Sequence, residues 1–351
     1  MLNQSSLIRE IRKTIDSANI NFLVGAGLSR PFLDVLNDIE VFLSDDSKTP
    51  EEIRNKKKEY FNKVMLGNLK IRDAILDSSK DEVLADYKNF YKIINNLVLR
   101  RENSILTKQV NVFTTNIDIF SEKALEETGL EFNDGFNGRF NPTFNLGNFK
   151  KSYFMKSLHY ENTSEIPVFN ILKIHGSLTW RYEKVGNDDL ILLDRDLENT
   201  RNIEAKKDTP DFDDCYKKLT VINPTKDKFE HTLLRQYFYD LLRIYSNELE
   251  KENSVLFVMG FSFADAHIRD MTERVAASNP TLKIYIFSHG EMTPLYRKLK
   301  DDAKNKNIEI LIPEEGKNYN LKTLNTEIFE EIIHFDEGVE ETPVVEQGDE
   351  K

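Results

Sequence analysis

Three short apolar runs of this 351-residue chain each end in residues suited to hold or cleave a polar, phosphate-bearing molecule. Run 21–24 opens into Gly25-Ala26-Gly27-Leu28-Ser29, run 110–113 into Thr114-Thr115-Asn116-Ile117-Asp118, and run 171–174 into His175-Gly176-Ser177. A glycine turn lets backbone approach a pyrophosphate, and amides at a helix start hold it without net positive charge. The Asn116 carboxamide offers donor and acceptor together, so it can recognise another amide edge or order a water. Asp118 can accept from a nicotinamide NH₂, and His175 can serve as general base or ribose contact. Together these suit cleavage of a glycosidic bond to nicotinamide through an oxocarbenium-like transition state.

Each residue also has a purely structural reading. Arg30 stands where the third glycine of a G-x-G-x-x-G fingerprint would fall, so Gly25 to Gly27 also read as a plain turn. Ser29 can cap a helix or donate to a phosphate, and Asn116 or Asp118 can cap the next helix. One cap needs one residue, however, and this corner has four polar residues in five. A second small-residue turn, Gly260-Phe261-Ser262-Phe263-Ala264-Asp265, suits the far end of a dinucleotide through Gly260 and Ser262, with Asp265 as an ordinary cap. Ser288 is placed to meet an adenine ribose. His159 and His231 lack such context, and His289 reads as a solvated loop residue. Trp180, Phe136, Phe140 and Phe144 read as core before they read as ligand cover.

The apolar runs must be strands whose carboxyl ends share one edge, because open parallel sheets bind ligands there. Further strands read at 218–222, 255–259, 283–287 and 308–312. Helices read at 5–17, from the Asn116 corner to about 128, and at 228–249, 264–278, 293–304 and 321–334. Pro31 fits the first turn of a helix opening after the glycine turn. Residues 38–109 form a charged helical insertion whose best segment, 82–100, lines up Val83, Tyr87, Phe90, Tyr91, Ile94, Leu97 and Val98. Residues 131–149 read as ordered loop, 181–216 as a polar excursion, and 336–351 as a disordered acidic tail. The whole reads as an α/β protein with a Rossmann-like, doubly wound parallel sheet and a helical insertion or small module, one catalytic domain over 1–335.

Composition narrows the partners. A net charge of −12 opposes general nucleic-acid binding. No apolar run is long enough to span a bilayer and no signal peptide is visible, so the cytoplasm is the expected compartment. The single cysteine, Cys215, cannot build a Cys₄ zinc site, and no metal is expected.

The glycine turn, Thr-Thr-Asn-Ile-Asp, Asn133-Asp134-Gly135-Phe136-Asn137-Gly138, Lys173-Ile174-His175-Gly176-Ser177 and Gly260-Phe261-Ser262-Phe263 together resemble the sirtuin fold, and most closely its bacterial anti-phage defence branch. They follow the family order across about residues 15–290. The resemblance implies NAD+ as substrate, held by Gly25, Ala26, Gly27, Ser29, Thr115 and Asp118, with Asn116 and His175 catalytic. Deacylases of that fold carry a zinc module, a Gly-Ile-Pro-Asp-Phe-Arg-like segment and a Gln where Thr115 stands. This chain instead reads Arg30-Pro31-Phe32-Leu33-Asp34-Val35 after its glycine turn. These departures point to an NAD+ glycohydrolase giving nicotinamide and linear or cyclic ADP-ribose. The defence resemblance further implies NAD+ depletion, homo-oligomers and a HerA-type hexameric ATPase partner. An NAD-dependent protein deacylase and a non-catalytic NAD or ADP-ribose sensor stand as alternatives.

Overall fold

A computed structural model describes residues 4–35, 39–43, 45, 47–101, 105–158, 161–186, 188–222 and 232–339. Helix α1 (Gln4–Ser17) leads into β1 (Asn19–Val24), which ends in a single 3-10 turn over Ala26–Ser29. No long helix follows that turn. Pro31 comes after it through a cis peptide, outside any helix, which corrects the expected helix start.

The insertion is helical, as its pattern predicts: α2 (Ile39–Leu43), α3 (Pro50–Tyr60), α4 (Gly67–Arg72) and α5 (Ser78–Leu99). Asp77 caps α5 by accepting from the Lys80 amide, and the predicted apolar face is buried. Phe90 meets Phe22 of β1 edge-on at 5.2 Å. Helix α5 is therefore one of the sheet's own covering helices. It delivers the chain to β2 (Gln109–Thr114) and then α6 (Phe120–Thr128).

The loop 131–149 is ordered, with β3 (Phe132–Asn133), β4 (Phe136–Asn137) and β5 (Thr143–Phe144) inside it. A hairpin, β6 (Phe154–Lys156) with β7 (Thr163–Glu165), precedes β8 (Val168–Lys173). The excursion at 181–216 carries regular elements: β9 (Trp180–Val185) and β10 (Asp188–Leu193) pair antiparallel, then come α7 (Glu198–Lys206) and α8 (Phe212–Tyr216). Trp180 packs on Phe144 at 4.7 Å, while Phe140 is exposed rather than in the core. The strand expected at 218–222 does not form. Only Val221 bridges, to Gly176, because this segment crosses the tip of β8 instead of joining the sheet.

Helix α9 (Thr232–Glu250) covers the described part of the helix expected at 228–249. It is followed by β11 (Ser254–Met259), α10 (Ala266–Ser278), β12 (Lys283–Phe287), α11 (Pro294–Asp301) and β13 (Ile308–Leu311). Then α12 (Leu321–Leu324) continues through a π turn into α13 (Glu330–Val339), so this helix reaches beyond the start expected for the acidic tail. Residues 340–351 of that tail, like His159 and His231, lie outside the described residues.

The main sheet has seven strands in the order β13-β12-β11-β1-β2-β8-β3, all neighbours parallel. Every residue of β8 and β11 is buried, which is why they read as mainly apolar runs, with Asn170 and Lys173 the polar exceptions in β8. One face is covered by α1, α5 and α13, the other by α9, α10 and α11. Asn21, Asn111 and Asn170 stand opposite one another on β1, β2 and β8. The Asn111 amide donates to Asn21 Oδ1 at 2.9 Å and the Asn170 amide to Asn111 Oδ1 at 2.9 Å. A slip of one residue would break this polar ladder, so it fixes the register. The chain leaves β1 to one side and returns to its other side at β11. That reversal makes β1/β11 the switch point, where such sheets open a crevice.

Candidate functional site

At the switch point the two glycine turns lie backbone on backbone. The Gly25 amide donates to Met259 O and the Gly27 amide to Gly260 O, both at 3.0 Å. A Cβ at Gly25 would sit 2.3 Å from Gly260 O, and one at Gly260 would sit 2.8 Å from the Leu28 amide. Gly260 also has φ +61°, in the left-handed region. These glycines answer first to each other, and two of the amides read as phosphate donors are engaged by the end of β11 and the turn after it. Ala26 stays half-exposed beside them.

Ser29, Asn116 and Asp118 come together beneath this turn, all buried. The Ser29 hydroxyl donates to Asp118 Oδ2 at 2.7 Å and lies 3.1 Å from the Tyr87 hydroxyl, so it caps no helix. Asp118 Oδ1 accepts from the Phe120 amide at 3.1 Å, at the start of α6. Burial, followed by the Asp118 charge, pushes the Tyr87 phenol well above its ordinary range, so it stays a neutral hydrogen-bonding group. Thr114 Oγ1 donates to Val24 O at 2.9 Å and accepts from the Asn116 amide at 3.0 Å, tying the ends of β1 and β2. Thr115, half-buried, donates through its amide to Val24 O at 3.4 Å.

Asn116 carries the least satisfied group in this set. Its side-chain NH₂ donates to Gly25 O at 3.1 Å, but its Oδ1 is shut from solvent and accepts from none of the described residues. A buried acceptor without a donor is costly, and it fits an incoming amide, hydroxyl or water.

Lys173 is the last residue of β8 and is 3 % exposed. Its ammonium donates to Asn116 O at 3.3 Å and to Asp118 O, and pairs with Glu122 Oε1 at 3.2 Å. One buried cation thus holds both carbonyls of the corner that carries Asn116 and Asp118. Burial pushes the Glu122 carboxyl up, against the Lys173 charge.

His175 follows on the adjacent strand tip. Its Nε2 lies 3.2 Å from Asp265 Oδ2, and its ring lies 6.2 Å from that of Phe238. Asp265 does cap α10, with Oδ1 accepting from the His267 amide at 2.9 Å, yet its second oxygen is given to the histidine. Gly176, φ +77°, lets 219–222 cross: a Cβ there would lie 2.4 Å from Thr220 O. Ser262 and Ser288 bond within their own loops. Ser262 Oγ accepts from the Ala264 amide at 3.4 Å, and Ser288 Oγ donates to Glu291 O at 2.6 Å.

The structure thus gathers Gly25, Ala26, Gly27 and Gly260 at one point, Ser29, Asn116 and Asp118 below it, and His175 on the next strand tip. Sequence reasoning missed Lys173, Glu122 and the pairing of Asp265 with His175. A lysine ending a mostly apolar strand was a usable signal for the first; the pairing joins distant segments and leaves none. Among the described residues no three His, Cys, Asp or Glu side chains converge as a metal site, and no helix is long and apolar enough to cross a membrane.

The sequence matches the SIR2-like domain family over residues 110–311, from β2 to β13. That span takes in Asn116, Asp118, Lys173, His175, Gly260, Asp265 and Ser288, and leaves the first glycine turn outside it. Among curated proteins no sequence matches.

Proposed function

The chain belongs to the SIR2-like domain family, a family that uses NAD+, and on that premise we propose that it is an NAD+ glycohydrolase. Water replaces nicotinamide at the ribose: the C1′–N1 bond breaks, a C1′–O bond forms, and NAD+ plus water gives nicotinamide, ADP-ribose and a proton. The observation that carries the reading is the buried Oδ1 of Asn116 beside the glycine turn, without a donor among the described residues. It is an acceptor awaiting a donor, either the attacking water or a hydroxyl or amide of the substrate. Asp118 fixes Ser29 and the start of α6, and so holds the Asn116 corner in place. His175, with Nε2 engaged by Asp265, presents Nδ1 as the nitrogen that takes the proton.

Unchecked NAD+ hydrolysis would harm the cell that makes it. The reading therefore includes a regulated, cytoplasmic enzyme whose NAD+ depletion serves anti-phage defence, switched by self-assembly or by a HerA-type ATPase. These elements rest on the resemblance to the defence branch.

The test is nicotinamide release from NAD+ by the pure chain, alone and with a HerA-type ATPase, with and without an acetylated lysine peptide. Release that needs no peptide is expected. Release strictly coupled to peptide deacetylation would make the chain a deacylase, and tight NAD+ binding with no release would make it a sensor.

A further inference from the structure

The corner that carries Asn116 and Asp118 runs from Thr115 to Ile119, between β2 and α6 and outside any helix or strand. Its three middle carbonyls all answer to β8 and the loop after it. Ile117 O accepts from the Leu178 amide at 3.0 Å, while Asn116 O, at 3.3 Å, and Asp118 O accept from the Lys173 ammonium. Glu122 Oε1, from the first turn of α6, lies 3.2 Å from the same ammonium. An ammonium has three donors and no acceptor, and among the described residues these three oxygens match them one for one. Burying a cation is unfavourable even beside a carboxylate, and an apolar residue of similar volume commonly serves a fold as well or better. What Lys173 adds is a grip on two carbonyls that no apolar side chain could hold.

From this grip we propose that Lys173 is a positioning residue for NAD+ hydrolysis, acting through the backbone of the corner to fix where Asn116 Oδ1 points. The inference rests on the proposed function and adds the device that holds its acceptor in place. Asn116 is pinned at three points: its carbonyl by the ammonium, its amide by Thr114 Oγ1 at 3.0 Å, and its side-chain NH₂ by Gly25 O at 3.1 Å. Without the ammonium the first of these is lost, and two buried carbonyls must turn to find other donors. The carboxamide then moves with its backbone. A misplacement of about 1 Å can lower a rate about 10²-fold. Lys173 therefore works on kcat from beneath the corner, and Glu122 stands behind it as the counter-charge that keeps the ammonium there.

The test joins amide hydrogen exchange to kinetics in the full chain. Lys173→Met keeps most of the side-chain volume and removes the donors. Lys173→Gln, one bond shorter and with two donors, cannot serve all three acceptors and decides the matter if Lys173→Met does not fold. Exchange should quicken in residues 115–120, where the Asn116, Ile119 and Phe120 amides are now bonded, and stay as in wild type across β11 and β12. Nicotinamide release should lose about tenfold or more in kcat, with KM for NAD+ within about threefold. Placed on Asn116→Ala, either substitution should add almost no further loss, because it acts through that residue. Exchange that quickens evenly over the whole chain, a wild-type kcat, or a loss that multiplies with that of Asn116→Ala overturns the positioning role. Quickened exchange at 115–120 in a chain whose wild type releases no nicotinamide contradicts the proposed function instead, and leaves the hold of Lys173 on the corner standing.

Discussion

Asp265 links the fold to the proposed chemistry through one side chain. One oxygen caps α10 and the other faces His175 Nε2. Asparagine caps a helix about as well as aspartate, so Asp265→Asn separates the two roles. The account predicts an unchanged melting temperature and KM for NAD+, with kcat lowered at least about tenfold, because the imidazole loses the carboxylate that sets its tautomer. Asp265→Ala should lose about 1 kcal/mol of stability as well. Wild-type kcat in Asp265→Asn would reduce this residue to a cap. Ser29 makes a parallel case, since its hydroxyl satisfies buried Asp118. Ser29→Ala should cost about 1–3 kcal/mol in urea denaturation, whereas a solvated phosphate-binding serine would cost almost nothing. Neither partnership was legible in the sequence. Both join residues from separate strand tips, and local spacing carries no trace of that.

Among elements, the contact between the β1 and β11 turns is the tightest in the site. Gly260→Ala places a Cβ 2.8 Å from the Leu28 amide at a φ of +61°. The expected loss is about 2 kcal/mol or more, with NAD+ binding weakened in the fraction that folds. Helix α1 is held to the sheet by charge as well as packing: Glu10 bonds Lys283 at 2.9 Å and Tyr285 at 2.9 Å. Burial raises the Glu10 carboxyl, but the bonds from Lys283 and Tyr285 outweigh it and hold the group below its ordinary range. A depressed carboxyl stabilises the fold above its unfolded pKa, about 4.3, and that gain is lost as pH falls through the folded value. Wild type should therefore exceed Glu10→Gln in urea midpoint at neutral pH, and the gap should close in acid. A gap that persists unchanged at pH 3 would contradict this. The buried strands were legible because parallel strands covered on both faces read as apolar runs. The β9–β10 hairpin was not, since it is half exposed and its outward face is polar. Segment 218–222 has strand-like residues but only bridges Gly176, and no local pattern distinguishes the two outcomes.

For the whole molecule, the strand order places the two glycine turns, the Asn116 corner and His175 along one edge, around the point where the chain reverses. The expectation of a doubly wound parallel sheet holds, and the family match over residues 110–311 agrees with it. What the sequence concealed is how the edge is held: Lys173 beneath the corner, Tyr87 from the insertion against Ser29, and Asp265 behind the histidine. Such contacts depend on tertiary placement, which residue types alone do not encode. The central claim is hydrolysis of NAD+ at Asn116 and His175, and its most direct test is the rate of nicotinamide release by wild type, Asn116→Ala and His175→Ala under activating conditions. The account predicts turnover by wild type and a loss of about 10²-fold or more in each variant, with the fold intact. Full activity in both variants, or no release by wild type even with a HerA-type ATPase added, would contradict it.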